Sequence, residues 1–175
     1  MKMKKNWFIA CMMLCTLMIA TSCSDDDEET VSKEWKEANR QAFYDISADK
    51  NYTELKSLNN RGSIYYKVLK TGEGTEPIYY NSKVAIYYTG YMLNPSDYSK
   101  WLIFDKNEYP EQDPYTSLAS GFVAGFTTAL QYMKEGDRWE IWIPYQLAYD
   151  ASGYNAIPGY STLKFELEVQ SILTP

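Results

Sequence analysis

The 175-residue sequence predicts an α+β fold, a curved antiparallel β-sheet wrapped around one short α-helix, preceded by an N-terminal helical extension. Three observations predict it. Four β-prone runs crowd the second part of the chain, and the last alternates apolar and charged residues, as a strand with one solvated face does. One short segment among them carries an apolar stripe at helical spacing. A longer stripe of the same period stands upstream of the first run.

In chain order, residues 1–22 read as an address. Lys2, Lys4 and Lys5 precede an apolar stretch from Trp7 to Ala20, then small residues. This is the pattern of a bacterial signal peptide, and the stretch is too short to favour a stable membrane span. Leu17-Met18-Ile19-Ala20-Thr21-Ser22-Cys23 resembles a relaxed lipobox, with its leucine displaced upstream and Ala20 in its place. The resemblance implies that Cys23 is lipidated and holds the mature chain on a membrane. A plain secretory signal with an incidental cysteine is the alternative. Residues 23–31, with Asp25-Asp26-Asp27-Glu28-Glu29, form a self-repelling, solvated tether. They also resemble the acidic surface-export signals of some Gram-negative lineages. The expected location is the cell envelope, as an outer-membrane lipoprotein that is exposed at the surface if the export signal operates.

Residues 32–61 read as a helical extension and linker. Ser32 is placed to cap a helix over 33–48, with Glu34 in its first turn. Trp35, Ala38, Ala42, Phe43 and Ile46 form an apolar face suited to docking on the neighbouring domain. Residues 49–62 are polar and read as linker.

Residues 62–175 form the domain. Ile64–Leu69, Val84–Tyr91, Arg138–Ile143 and Thr162–Val169 are the predicted strands, broken by Gly72/Gly74, Asn81-Ser82, Asn94-Pro95 and Pro144. Phe126, Ala129, Leu130 and Met133 share one face of the short helix, which Gly136 ends. A sheet with one apolar face and one short amphipathic helix buries both by curling the sheet round the helix. Asn94–Ile103 reads as a connection bearing Trp101, and Lys106–Pro114 as irregular. Trp139 and Trp142 point to opposite faces of their strand, so one is exposed or covered by the N-terminal helix.

Composition narrows the chemistry. The chain has no histidine, which removes Ser-His-Asp and Cys-His catalysis and most zinc sites. No metal or cofactor is expected. All three cysteines lie in the first segment, so at most Cys23 survives processing and no intramolecular disulfide forms. The net charge is −6 and no basic patch appears, which argues against nucleic acid as a partner. Catalysis is left to carboxylates, hydroxyls, lysine or pocket shape. Oligomeric state stays open.

Six segments in order then carry a resemblance. Val84-Ala85-Ile86-Tyr87-Tyr88-Thr89-Gly90 resembles the V-x-V-x-Y-T-G strand of FKBP-type peptidyl-prolyl isomerases, and Phe104-Asp105 their F-D pair. Phe122-Val123-Ala124-Gly125-Phe126 is similar to the entry to their central helix, and Met133-Lys134-Glu135-Gly136-Asp137 to its exit. Ile143-Pro144-Tyr145-Gln146-Leu147-Ala148-Tyr149 is similar to I-P-x-x-L-A-Y. Ile157 to Leu167 is similar to the I-P-x-x-x-x-L-x-F-x-V ending. The resemblance implies a pocket that binds X-Pro segments of polypeptide clients. Its implied catalytic residues are Tyr88, Asp105 and Tyr149, and its implied substrate-binding residues are Phe104, Tyr115, Phe122, Val123, Phe126, Ile157 and Phe165. Phe126 would be the floor. The Val123 N–H and the Tyr149 hydroxyl would bond ligand carbonyls.

The chain departs from that family at Asp150, where glycine is usual, at Phe126, where tryptophan is common, and in the longer segments either side of Phe104-Asp105. These departures leave open an FKBP-like binding or chaperone module without turnover. A surface glycan-binding module, suggested by abundant Tyr and Trp, is the reading from a different class. Phe104 and Phe165 also suit plain core packing.

Overall fold

The computed structural model describes residues 31–174. The expected signal peptide, Cys23 and nearly all of the acidic tether lie outside the described residues.

The elements are α1 (Lys33–Ala48), β1 (Thr53–Lys56), β2 (Ser63–Lys70), β3 (Lys83–Asn94), β4 (Asp97–Asn107), β5 (Tyr115–Leu118), α2 (Ala124–Leu130), β6 (Arg138–Ile143) and β7 (Leu163–Thr174). The described strands form one antiparallel sheet in the order β1-β2-β6-β7-β3-β4, with β5 also paired to β3. The α+β class, with its sheet folded over one short helix, is what the patterning predicts.

Burial follows the strand period. Along β7, Leu163, Phe165, Leu167 and Val169 are buried, while Lys164, Glu166 and Glu168 stand half-buried on the outer face. Ion pairs knit that face: Arg138–Glu166 at 2.6 Å and Lys70–Glu168 at 3.4 Å. On the inner face, Phe126, Ala129 and Leu130 of α2, with Met133 just beyond it, pack among Ile64, Val84, Ile86, Ile141 and Ile143. Gly125 lets α2 approach the sheet closely, since a Cβ there would lie 2.4 Å from Ile143 Cγ2.

Helix α1 spans the predicted residues, with the Ser32 hydroxyl accepting from the Trp35 N–H at 3.1 Å. It docks on the outer face and on the segment leading into β7. Trp35 Nε1 donates to the Gly159 carbonyl at 2.8 Å. Asn39 is fully buried. Its Oδ1 accepts from the Thr162 N–H at 2.8 Å, its carbonyl accepts from Thr162 Oγ1 at 2.9 Å, and its Nδ2 donates to the Trp35 carbonyl at 3.0 Å. These bonds satisfy backbone groups that burial would otherwise leave costly.

Two expectations are corrected. The polar stretch 49–62 contains strand β1, whose alternation is invisible because Leu55 alone points inward; pairing to β2 forms it. Asn94–Ile103 is not a loose connection. It turns at Asn94–Asp97 and returns as β4, which lies along β3. Trp139 and Trp142 point to opposite faces as expected, and α1 lies over Trp142, so both are buried. Trp139 stacks on Tyr66 at 4.2 Å beneath the sheet, and Trp142 on the other face meets Trp101 at 5.0 Å and Tyr52 at 6.4 Å, beside α1.

Candidate functional site

Between α2, β3, β4, β7 and the segment after β6 lies an open cavity of about 580 Å³. Tyr88, Phe104, Asp105, Tyr115, Phe122, Val123, Phe126, Tyr149 and Phe165 line it, joined by Gly121 and Tyr154. Nine of the ten sequence-predicted pocket residues are thereby brought together. Ile157 is the exception. It is buried in the core and exchanges two backbone hydrogen bonds of 2.9 Å with Tyr154. It supports the rim and does not line the cavity.

Local structure explains how each side chain arrives. Phe104 and Asp105 are neighbours on a strand, and neighbours normally face opposite sides. Here Gly90 pairs with Asp105 and Tyr91 with Ile103, so Phe104 is the extra residue of a β-bulge. The bulge turns the strand locally and lets both side chains reach the cavity. Gly90 completes the arrangement, because a Cβ there would lie 2.7 Å from Phe104 and 2.7 Å from Phe165.

Phe126 forms the floor at 2% exposure. Phe165 stands edge-on to it at 5.1 Å, Tyr88 at 6.3 Å, and Phe122 stacks on it at 4.6 Å. Phe104 meets Phe165 at 5.6 Å. Such edge-to-face contacts favour these relative positions, so the rings brace one another around the cavity.

Polar groups also line this apolar surface. The Tyr88 hydroxyl donates to Asp105 Oδ2 at 2.7 Å. Burial first, then the bond to the Asp105 carboxylate, pushes the Tyr88 phenol well above the usual tyrosine range. Burial likewise raises Tyr149, helped by Tyr154 and by the negative charge of Asp105. Both phenols therefore stay protonated at neutral pH. The Tyr88 proton is committed to Asp105. The Tyr149 hydroxyl has no hydrogen-bond partner among the described residues, nor has the Val123 N–H. Both are available donors. Among the described residues no cluster could hold a metal ion.

Asp150 sits where the resembling family has glycine, and its φ of 56° explains the preference. The position needs left-handed backbone, which aspartate tolerates better than most residues. Its N–H donates to the Tyr145 carbonyl at 2.8 Å, its carbonyl accepts from the Tyr160 N–H at 3.0 Å, and its carboxylate meets Arg61 at 2.7 Å. These bonds hold the loop around Asp150. Tyr154 was not identified from sequence. It stacks on Tyr149 at 5.1 Å, but it lies in a run of turns where no periodicity marks an inward residue.

Residues 74–170, more than half of the chain, match the FKBP-type peptidyl-prolyl cis-trans isomerase family. The chain is 34% identical over 112 residues to a Trypanosoma cruzi protein named macrophage infectivity potentiator, covering 63% of this chain and 53% of that one. It is 34% identical over 114 residues to the peptidyl-prolyl cis-trans isomerase Mip of Coxiella burnetii, covering 65% and 45%. The chain thus spans about half the length of these relatives. Among solved structures, a peptidyl-prolyl cis-trans isomerase of Pseudomonas syringae superposes with a TM-score of 0.64 at 26% identity, covering 81% of this chain and 96% of that one. FkpA from Escherichia coli superposes with a TM-score of 0.66 at 24% identity, covering 81% and 60%, a likeness of fold.

Proposed function

The chain belongs to the FKBP-type peptidyl-prolyl cis-trans isomerase family, and from that premise we propose that it isomerises X-Pro bonds of envelope or surface proteins in its aromatic cradle. The observation that carries the proposal is the convergence of an available phenol and the Tyr88–Asp105 pair on one open, ring-walled cavity.

The chemistry needs no histidine, metal or covalent step. Cis and trans X-Pro differ little in energy, but rotation must break amide resonance and meets a barrier of about 18–20 kcal/mol. A twisted amide loses charge separation, so an apolar cavity favours it over the planar form. Donors that hold the flanking carbonyls select the twisted geometry. Tyr149 and the Val123 N–H supply those donors, and Phe126 supports the prolyl ring. Asp105 holds the Tyr88 ring in position. Each tenfold acceleration requires about 1.4 kcal/mol, which desolvation and orientation can supply several times over.

The envelope assignment rests on the N-terminal pattern that resembles a lipoprotein signal, with Cys23 as the lipidated residue. Residues 1–22 then act as address and 23–31 as tether. No described helix is long and apolar enough to cross a membrane.

A protease-coupled assay on an Ala-Leu-Pro-Phe-type peptide tests the activity. Acceleration above background that Asp105→Ala lowers supports the proposal. Folded protein with no acceleration overturns it and leaves a binding module. Mass spectrometry of the protein from membranes tests the lipid on Cys23.

A further inference from the structure

A second cavity, of about 380 Å³, lies directly across Phe122 from the cradle. The Phe122 side chain borders both. The second cavity is floored by the outward side of α2, where Ala124 and Thr128 present small side chains. Two exposed apolar residues from separate turns form its rim. Leu58, in the turn between β1 and β2, is 56% exposed, and Tyr80, in the turn before β3, is 63% exposed. Exposure of two large apolar side chains on either side of one hollow marks a surface suited to contact with a partner. In the same wall, Gln131 Oε1 is buried with no hydrogen-bond partner among the described residues.

We propose that this cavity is a specificity subsite for a large aliphatic or aromatic client side chain near the proline held in the cradle. The inference rests on the isomerase reading of the cradle and commits to one occupant, the client polypeptide itself, because the two cavities share Phe122 as a common wall. A phenyl ring spans about 7 Å edge to edge, van der Waals surfaces included, which an extended chain covers in about two residues. The subsite therefore reads a residue about two positions from proline. Thr127 and Thr128 direct their hydroxyls to the carbonyls of Ala119 and Ala124. They present methyl groups instead of free polar groups, so the hollow favours an apolar occupant.

The test uses one fluorescent peptide series with serine or leucine placed two or three residues before or after proline. Turnover and affinity are measured on the same peptides, so a chain that binds without turnover still reports on the subsite. Leucine at one of these positions is expected to raise affinity or kcat/KM about tenfold over serine, the effect of partly burying that side chain. In the double variant Leu58→Ser, Tyr80→Ser the ratio is expected to fall to about one. Both residues are exposed, so the variant is expected to fold, and circular dichroism checks that it does. A flat series in the unaltered protein, or a leucine preference that persists in the double variant, overturns the subsite while leaving the isomerase reading intact. If no peptide is bound or turned over, both readings fail together, which separates that result from failure of the subsite alone.

Discussion

Gly90→Ala tests whether the rings form a fitted cradle. Gly90 lies within β3 and pairs with Asp105 and Phe165 on its two sides. A Cβ added there meets Phe104 Cζ and Phe165 Cε1 at 2.7 Å each. Ordinary contact begins near 3.4 Å, so each ring must retreat by roughly 0.7 Å. Overpacking of this kind costs about 1–3 kcal/mol. Restricting the unfolded chain returns about 0.4–1 kcal/mol. The net loss is about 1 kcal/mol, a fall in melting temperature of about 4 °C for a chain of this size. Function should suffer more than stability. Both displaced rings are walls of the cavity, and an error of about 1 Å in positioning can cost about a hundredfold in rate. Thermal unfolding and a peptide isomerisation assay on the same preparation give both numbers. Destabilisation of the expected size with kcat/KM within twofold of the parent would refute the claim that these rings define the site. An unchanged melting temperature would refute the clash itself.

Asn39→Ala should destabilise the protein by about 1–3 kcal/mol in urea unfolding, because the buried Thr162 N–H loses its acceptor. Phe126→Ala removes the floor and should cost about 3–5 kcal/mol; peptide affinity, measured by anisotropy on the folded fraction, should be lost with it. Tyr149→Phe should lower kcat/KM about tenfold with little change in melting temperature, since the hydroxyl has no partner among the described residues. Stability should also fall in alkali. Tyr88 and Tyr149 hold their protons more tightly when folded, as does Tyr52, pushed up to about 12 by burial and Glu140. Their contribution is complete below the unfolded tyrosine value of about 10 and is lost as pH rises through the folded values. Urea midpoints between pH 8 and 11 should show the decline, and Tyr88→Phe should shallow it.

The class and the main strands were legible because their residues obey simple periods. The alternation through β7 and the α2 stripe are each dictated by burial on one side. The cradle was legible because motif segments in order identified nine side chains that the fold then gathers. What stayed hidden depends on pairing rather than pattern. β1 exposes most of its residues and exists because β2 lies beside it. Most of β4 reads as a connection because its residues are largely exposed and show no buried face, and its bulge at Phe104 lets Phe104 and Asp105 share a cavity. Ile157 was misplaced by one layer, since a motif gives chain position and not depth. Tyr154 depends on a turn whose path no local period encodes.

The bonds from Trp35 to Gly159 and from Asn39 to Thr162 tie α1 to the strip of chain that runs from the cradle's rim into β7. Whatever pulls on the preceding residues therefore pulls on the mouth of the site. Trimming the protein at Gly62 would strip the cover from Trp142 and strand the Thr162 amide, so a functional minimal fragment has to begin ahead of Ser32.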